Sequence, residues 1–351
     1  MKQKQATNKQ LTEEIVAPAK GRQVCISILG TLIFVLLANF VARWYLKYNT
    51  TNRGYLLIRE KWELLLAQKQ PVDWLILGDS SCNQGVVPSI LEKRLGGTSI
   101  NLCTLGDLGG VDDAWMVDLH LQKLGSPKNI VIVHVYDVWH REGISRKLLA
   151  KIPLSWGYWE ELQPPMQFSP RAMLDFLLLR YVPLLKENQT LSEVLRSPVH
   201  SFQKSRRLSL DANGFMAYEE PRPKRVENDK NKHIKFVRKN KFKMSVPNRQ
   251  ALEQIVALAQ EYGFNVYLVN SPIYQDLYNN EDYQAYFSQV QNTLSAYAAK
   301  SKKVYYIREP MVFSKEEMEN ADHLVYPAAK VYTDKLASEI DSIRQARDES
   351  R

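Results

Sequence analysis

Five apolar runs, each bounded by turn residues, recur between stretches of helical pattern, and this alternation constrains the chain more than any other feature. The runs are VDWLILG (72–78), TSINLC (98–103), NIVIVHVY (129–136), FNVYLVN (264–270) and KVYYI (303–307). Their length and their β-branched and aromatic content mark buried strands. Helical spacing of apolar residues appears in VPSILEKRLGG (87–97), DDAWMVDLHLQKLG (112–125) and PNRQALEQIVALAQEYG (247–263). It recurs in DYQAYFSQVQNTLSAYAAK (282–300) and YPAAKVYTDKLASEI (326–340), with proline starts and glycine stops in several of the five. The alternation predicts an α/β fold: three α/β/α layers, flavodoxin-like, around a parallel five-stranded sheet covered on both faces.

The rhythm breaks once, between residues 141 and 245. That interval holds an aromatic, proline-containing stretch, an apolar helix candidate (RAMLDFLLLRYVPLL) and a basic run. It reads as an insertion after the third strand, at the carboxyl edge of the sheet where α/β folds bind ligands. Of the net charge of +9, the run Arg222–Lys243 contributes +8, with ten Lys/Arg and two acidic residues. The rest of the chain is close to neutral, so the protein is no basic globule. The run is read either as a solvated flexible loop or as a contact for anionic lipid headgroups or an anionic polymer. No recognition helix or base-stacking motif accompanies the charge, so nucleic acid is not expected as a partner.

Ahead of the strands, Val24–Ala42 runs nineteen residues without a charge between Arg22 and Arg43. At about 1.5 Å per residue this spans a bilayer core of about 30 Å. Trp44, Tyr45 and Tyr48 follow, as in an interfacial aromatic belt. A cleavable signal peptide would have a shorter apolar region ending in small residues, whereas this one ends in Arg-Trp-Tyr-Leu-Lys. The expectation is a retained single-pass anchor. Lys and Arg are balanced on its two sides, so charge does not orient it. The layout expected is a flank (1–23), an anchor (24–45), a juxtamembrane linker or helix (46–70), the α/β domain (71–340, insertion 141–245) and a tail (341–351). The three cysteines exclude a disulfide scaffold and have no metal-ligand spacing. Cys25 lies in the apolar stretch, so at most one bridge, Cys82 to Cys103, can form, and the spacing does not decide whether it does.

Three short segments carry chemistry. LILGDSSCNQG (75–85) runs from the first strand into Gly-Asp-Ser-Ser, where Ser80 is either a nucleophile or part of a helix cap. Position 82 is Cys, so the G-x-S-x-G elbow does not apply. No G-x-G-x-x-G or P-loop lysine is present, and no cofactor is expected. NLCTLGDLGG (101–110) places glycines after the second strand, where backbone N–H groups can approach a reacting oxygen. NADHLVYPAAKVYTDKLASEI, from Asn320, places His323 between the last strand and the last helix, at the sheet edge that also carries Ser80.

These pieces, in this order, resemble the SGNH/GDSL hydrolase superfamily. The matching positions are Gly78, Asp79 and Ser80 for its first block, Gly106 for its oxyanion glycine and Asn320–His323 for its Asp-x-x-His block. More narrowly, the chain looks like the membrane-anchored branch that includes alginate O-acetylation and lipoteichoic-acid D-alanylation proteins. Asp322-His323-Leu324 and Ala328-Ala329 echo that branch's ending.

The resemblance implies a serine nucleophile, Ser80, with His323 as general base and Gly106 among the oxyanion donors. It also implies work on a cell-envelope polysaccharide or lipid alongside a polytopic membrane O-acyltransferase, with the large domain outside the cytoplasm. Two positions depart from the family pattern. Asn320 stands where the triad aspartate is expected, with Asp322 as substitute if the loop turns suitably. Asp137, in HVYDVWHR, stands near the expected third-block asparagine and is assigned to substrate binding or to a structural pair with Arg141. His134 and His140 flank it, but no metal site is expected there. An esterase or O-acyltransferase is one reading; a membrane-tethered binding or assembly factor that kept the fold and lost the chemistry is the other. A soluble nucleotide-binding protein would need a glycine fingerprint that is absent.

Overall fold

The computed structural model describes residues 2–49, 52–153, 170–186, 191–192, 195–196 and 208–349. The aromatic, proline-containing stretch of the insertion, residues 154–169, lies outside the described residues. Backbone contacts divide the chain into two units: residues 1–51 with 173–206, and residues 52–172 with 207–351. The first contains helix α1 (Lys2–Asn49). Its segment Gly21–Leu46, with a mean hydropathy of 2.5, is long and apolar enough to cross a membrane, and length and composition fit an anchor or a signal sequence alike. Within this unit the Asn39 side chain donates to the Tyr181 carbonyl at 2.7 Å, and Arg43 lies over the Tyr181 ring.

The second unit is the α/β domain. It opens with α2 (Arg53–Ala67), followed by β1 (Trp74–Gly78), α3 (Ser80–Gly85), α4 (Pro88–Leu95) and β2 (Ser99–Asn101). Then come α5 (Gly109–Leu124), β3 (Asn129–His134), α6 (Pro223–Lys239), α7 (Val246–Tyr262) and β4 (Asn265–Asn270). A short β5 (Ile273–Tyr274) precedes α8 (Glu281–Ala298), β6 (Val304–Ile307) and β7 (Val312–Phe313). The hairpin β8 (Met318–Asn320) and β9 (His323–Leu324) leads into α9 (Tyr326–Glu349).

Five strands form one parallel sheet in the order β2-β1-β3-β4-β6, the flavodoxin-like order expected of the alternation. Strands β1 and β3 are buried at every position, as continuous apolar runs under helices on both faces must be. On one face α5 packs against α7, to which Tyr297 of α8 is tied by a hydrogen bond to Glu253; on the other α4 packs against α9. The sheet reverses its order at β1, so the crevice between the carboxyl ends of β1 and β3 is its switch point. Gly78 closes β1 with φ +138°, and a Cβ there would sit 1.9 Å from the Val133 carbonyl oxygen. Only glycine allows the two strands this approach.

Two segments differ from the sequence reading, and a third decides between its alternatives. Helix α9 continues to Glu349, past the periodic pattern that ends near residue 340. The basic run is no loop: most of it is helix α6, packed on the β8 hairpin. Of the two alternatives given for 46–70, a linker or a helix, residues 53–67 form a helix, and it packs within the α/β domain.

Lys61 of α2 is fully buried and donates to the Asn101 carbonyl (2.8 Å), Asn101 Oδ1 (2.9 Å) and the Gly214 carbonyl (2.6 Å). Burial presses its pKa down, yet three acceptors around one nitrogen call for three protons. Asn101 N also donates to the Asn213 carbonyl, so the lysine fastens the insertion to the edge of β2. Lys61→Met takes the ammonium from two buried carbonyls and from Asn101 Oδ1, which keeps only the Cys103 N–H, and is expected to lower the unfolding free energy by about 2–4 kcal/mol. The exposed Lys93→Met should change it by less than about 0.5 kcal/mol. Urea unfolding of the full chain in detergent, followed by tryptophan fluorescence, separates the two.

Candidate active site

Asp79 decides what the Gly-Asp-Ser-Ser turn presents. It is the N-cap of α3, and its Oδ1 accepts from the Ser81 N–H at 2.8 Å and the Ser81 hydroxyl at 2.6 Å. Its Oδ2 accepts from the Val135 N–H at 2.7 Å, which ties the turn to the end of β3. Ser81 is thereby drawn inward and fully buried, while Ser80 keeps partial exposure and lines a cavity of about 320 Å³. The cap is thus Asp79, held by Ser81, and its work leaves the Ser80 hydroxyl free to face the cavity.

A buried charge network supports the turn. His134, at the end of β3, lies between two carboxylates: Nε2 is 2.6 Å from Asp113 Oδ2 and Nδ1 is 3.6 Å from Asp79 Oδ2. Burial opposes the imidazolium, but the two carboxylates outweigh it and hold its pKa up at about 10. Burial likewise opposes the Asp79 charge; His134 and the hydrogen bonds from Ser81 and Val135 overcome it and keep the carboxyl well below its usual range. Beside them Asp112 accepts from Trp62 Nε1 (2.8 Å) and the Thr104 hydroxyl (2.6 Å), and burial pushes its pKa up to about 7. Two residues past Ser80, Cys82 is bridged to Cys103, with Cα atoms 5.8 Å apart. The bridge joins the serine helix to the loop that carries Gly106.

The hairpin after β7 supplies the other wall. Asn320 Oδ1 accepts from the Asp322 N–H at 3.0 Å and lies 2.8 Å from His323 Nδ1, so the asparagine closes the turn. Asp322 Oδ1 also pairs with His323 Nδ1. With the proton assigned to Nδ1, His323 Nε2 is left as the basic nitrogen. Burial works against its charge, and Asp322 more than compensates, raising the pKa above the ordinary histidine value. Both side chains therefore reach His323 Nδ1, an amide oxygen from Asn320 and a carboxylate oxygen from Asp322.

Ser80, Gly106, Asp137, Asn320, Asp322 and His323 all line the one cavity. A Cβ on Gly106 would meet Val138 Cγ2 at 2.8 Å and Arg141 Nη1 at 3.0 Å, so a larger residue there would displace the Arg141 wall. Arg141 holds Asp137 Oδ2 through Nη2 (2.8 Å) and Nε (3.2 Å), and Asp107 Oδ1 through Nη1 (3.1 Å). The Asp137–Arg141 pair read from the sequence is present, and Asp137 faces the cavity as well. His134 and His140 do not converge on it. His134 belongs to the buried network, and His140 Nδ1 lies against the Lys243 N–H at 3.4 Å.

Sequence reasoning missed the contribution of α6, which brings Asp229, Lys232, His233 and Phe236 to the same cavity. The signal was the D-x-x-x-H spacing inside the basic run, which puts Asp229 and His233 on one helical face. No family model matches this chain, and no curated protein matches it in sequence.

The buried network sets a pH dependence. His134 titrates near 6.5 when unfolded and about 10 when folded, so its contribution is complete below pH 6.5 and is lost as the pH rises through 10. Asp112 keeps its proton to about 7 in the fold against 3.8 unfolded, so its cost builds up between those values and stays above them. Above neutrality His134 lowers stability as the pH rises, while Lys61, whose pKa burial presses down, works the other way. The His134 part is isolated by comparison: the urea midpoint of His134→Gln should lie below wild type at about pH 7, and the gap should shrink as the pH approaches about 10. A gap that stays constant or widens over that range would contradict this assignment.

Proposed function

We propose that the chain is a membrane-anchored serine esterase or O-acyltransferase of the SGNH type, acting on a cell-envelope polysaccharide or glycolipid. The observation that carries this reading is the shared cavity: Ser80 lines it together with a histidine whose far nitrogen is held by a carboxylate. In the proposed reaction Ser80 Oγ attacks an acyl carbonyl carbon and His323 Nε2 takes the hydroxyl proton. Asp322 and Asn320 fix the ring, and Asp322 stabilises the imidazolium. The oxyanion forms beside Gly106, and the departing oxygen takes the proton back from His323. An acceptor hydroxyl or water, deprotonated by His323, then releases the acyl group from Ser80.

The Cys82–Cys103 bridge supports placing the domain in an oxidising compartment outside the cytoplasm, with Gly21–Leu46 retained as a single-pass anchor. A polytopic membrane O-acyltransferase is the proposed acyl-donor partner. The exposed Lys224, Arg225, Lys235 and Lys239 of α6 suit anionic lipid. No cofactor enters this chemistry. The alternative reading, a binding or assembly factor without activity, draws on Asp137, whose carboxylate stands near the position of the family's third-block asparagine and would oppose an oxyanion.

Labelling of the full chain in detergent with a fluorophosphonate probe distinguishes them. Wild type should label, and Ser80→Ala and His323→Ala should not. Asp322→Asn should slow labelling by about 100-fold or more, since an amide stabilises an imidazolium poorly. A folded wild type that stays unlabelled sinks the enzymatic reading in favour of the binding factor.

A further inference from the structure

The basic run hides an inward face of opposite character. Helix α6 turns Asp229 and His233 toward the cavity, where Asp322 of the hairpin meets them. His233 Nε2 lies 3.4 Å from Asp229 Oδ2 and 3.6 Å from Asp322 Oδ2, and one ligand atom from each of the three residues falls within 4.8 Å of the others. A charge-assisted N–H···O bond would close to about 2.7–2.9 Å. The two separations from His233 match instead the edge, about 3.3–3.6 Å, of a coordination tetrahedron with zinc-type N and O ligands at about 2.0–2.2 Å.

The outer atoms of the three side chains are held as ligands usually are. His233 Nδ1 pairs with the Tyr136 hydroxyl at 2.8 Å, Asp322 Oδ1 pairs with His323, and Asp229 Oδ1 lies 3.5 Å from Lys232 Nζ. The Ala321 N–H also donates to Asp229 Oδ2, at 3.4 Å, and fixes that oxygen's direction. With the His233 proton assigned to Nδ1, the Nε2 lone pair faces two carboxylate oxygens, an arrangement that a cation between them makes favourable. A separate observation points the same way. Asp137 lines this cavity, its charge acts on both His233 and Asp322, and its Oδ1 is buried with no hydrogen-bond partner among the described residues. A cation in the cavity would compensate that oxygen.

We propose that Asp229, His233 and Asp322 bind one divalent transition-metal ion of the zinc type, through Asp229 Oδ2, His233 Nε2 and Asp322 Oδ2. The imidazole and the small number of oxygens argue against magnesium or calcium, which take six or more ligands, mostly oxygen. The remaining coordination opens to the cavity that Ser80 and His323 share. The site shares Asp322 with the proposed serine chemistry but stands without it, since none of its ligands depends on Ser80.

The test uses the full chain in detergent, purified on a tag without histidines, stripped with chelator and titrated calorimetrically with Zn²⁺. Co²⁺ absorption serves as the second readout. Wild type should bind one ion per chain and give the intense visible bands of tetrahedral Co²⁺. Asp229→Asn and His233→Gln should weaken binding by at least about 100-fold with the circular dichroism unchanged. Ser80→Ala and His140→Gln should bind as wild type does, which keeps this result distinct from the fate of the serine reading. No saturable binding by wild type, or equal binding by His233→Gln, overturns the site and leaves His233 as a protonated partner of the two carboxylates. If the variants lose their native circular dichroism, the wild-type stoichiometry and Co²⁺ spectrum decide alone.

Discussion

The carboxylate of Asp79 is the interaction on which the rest of this structure depends. It accepts from the Ser81 N–H, the Ser81 hydroxyl and the Val135 N–H, and so joins the end of β1, the start of α3 and the end of β3 at one point. An ionised carboxylate in so buried a place needs compensation, and His134 supplies it from below. Such buried pairs contribute little net stability; their effect is to penalise other arrangements, because losing either partner strands a charge. What the Asp79–His134 pair specifies is direction. Ser81 turns in, Ser80 turns out, and the switch-point crevice acquires one hydroxyl.

The other walls of the cavity come from segments far apart in the chain. Gly106 follows β2, Asp137 and Arg141 follow β3, the β8–β9 hairpin precedes the last helix, and α6 belongs to the insertion. The insertion is stitched to the domain by ordinary means. Arg222 and Arg225 both reach Glu319, Arg238 reaches Asp282, and Lys61 holds Gly214. The two arginines on Glu319 hold α6 against the hairpin, so that Asp229 and His233 stand beside Asp322 without a strand to place them.

The sheet was legible in the sequence because five parallel strands buried on both faces must read as apolar runs, and glycine or proline marks most helix ends. The order of the strands was legible as a class, from the alternation of strands and helices, rather than from any one residue. That Ser80, Gly106 and His323 share one cavity was legible from their place after strands one and two and before the last helix. Two things were not legible. Whether Asn320 or Asp322 serves the histidine depends on the turn of four residues, which one-dimensional spacing does not carry; in the fold both reach Nδ1. The packing of α2 was also hidden, because Lys61 and Trp62 find their partners near residues 101, 112 and 214.

Helix α6 shows why charge counting failed there. Its inward stripe is Val226, Asp229, His233, Phe236 and Val237, at intervals of three and four, with Val226 and Val237 buried and the other three lining the cavity. Of its seven cations Lys224, Arg225, Lys232, Lys235, Arg238 and Lys239 are exposed, Lys232 at the cavity rim, and Lys230 is half-buried against Glu227. Net charge sums over both faces and so reports only the more populous one. Read by face, the segment is an amphipathic helix whose apolar positions are too few to dominate composition, with an acid and an imidazole one turn apart set among them. A helix of this kind joins two environments, a polycationic exterior and a cavity in which the carboxylates of Asp79, Asp137, Asp229 and Asp322 meet Arg141 and Lys232. Any function assigned to the basic run concerns its outer face, and any function assigned to the cavity must account for Asp229 and His233.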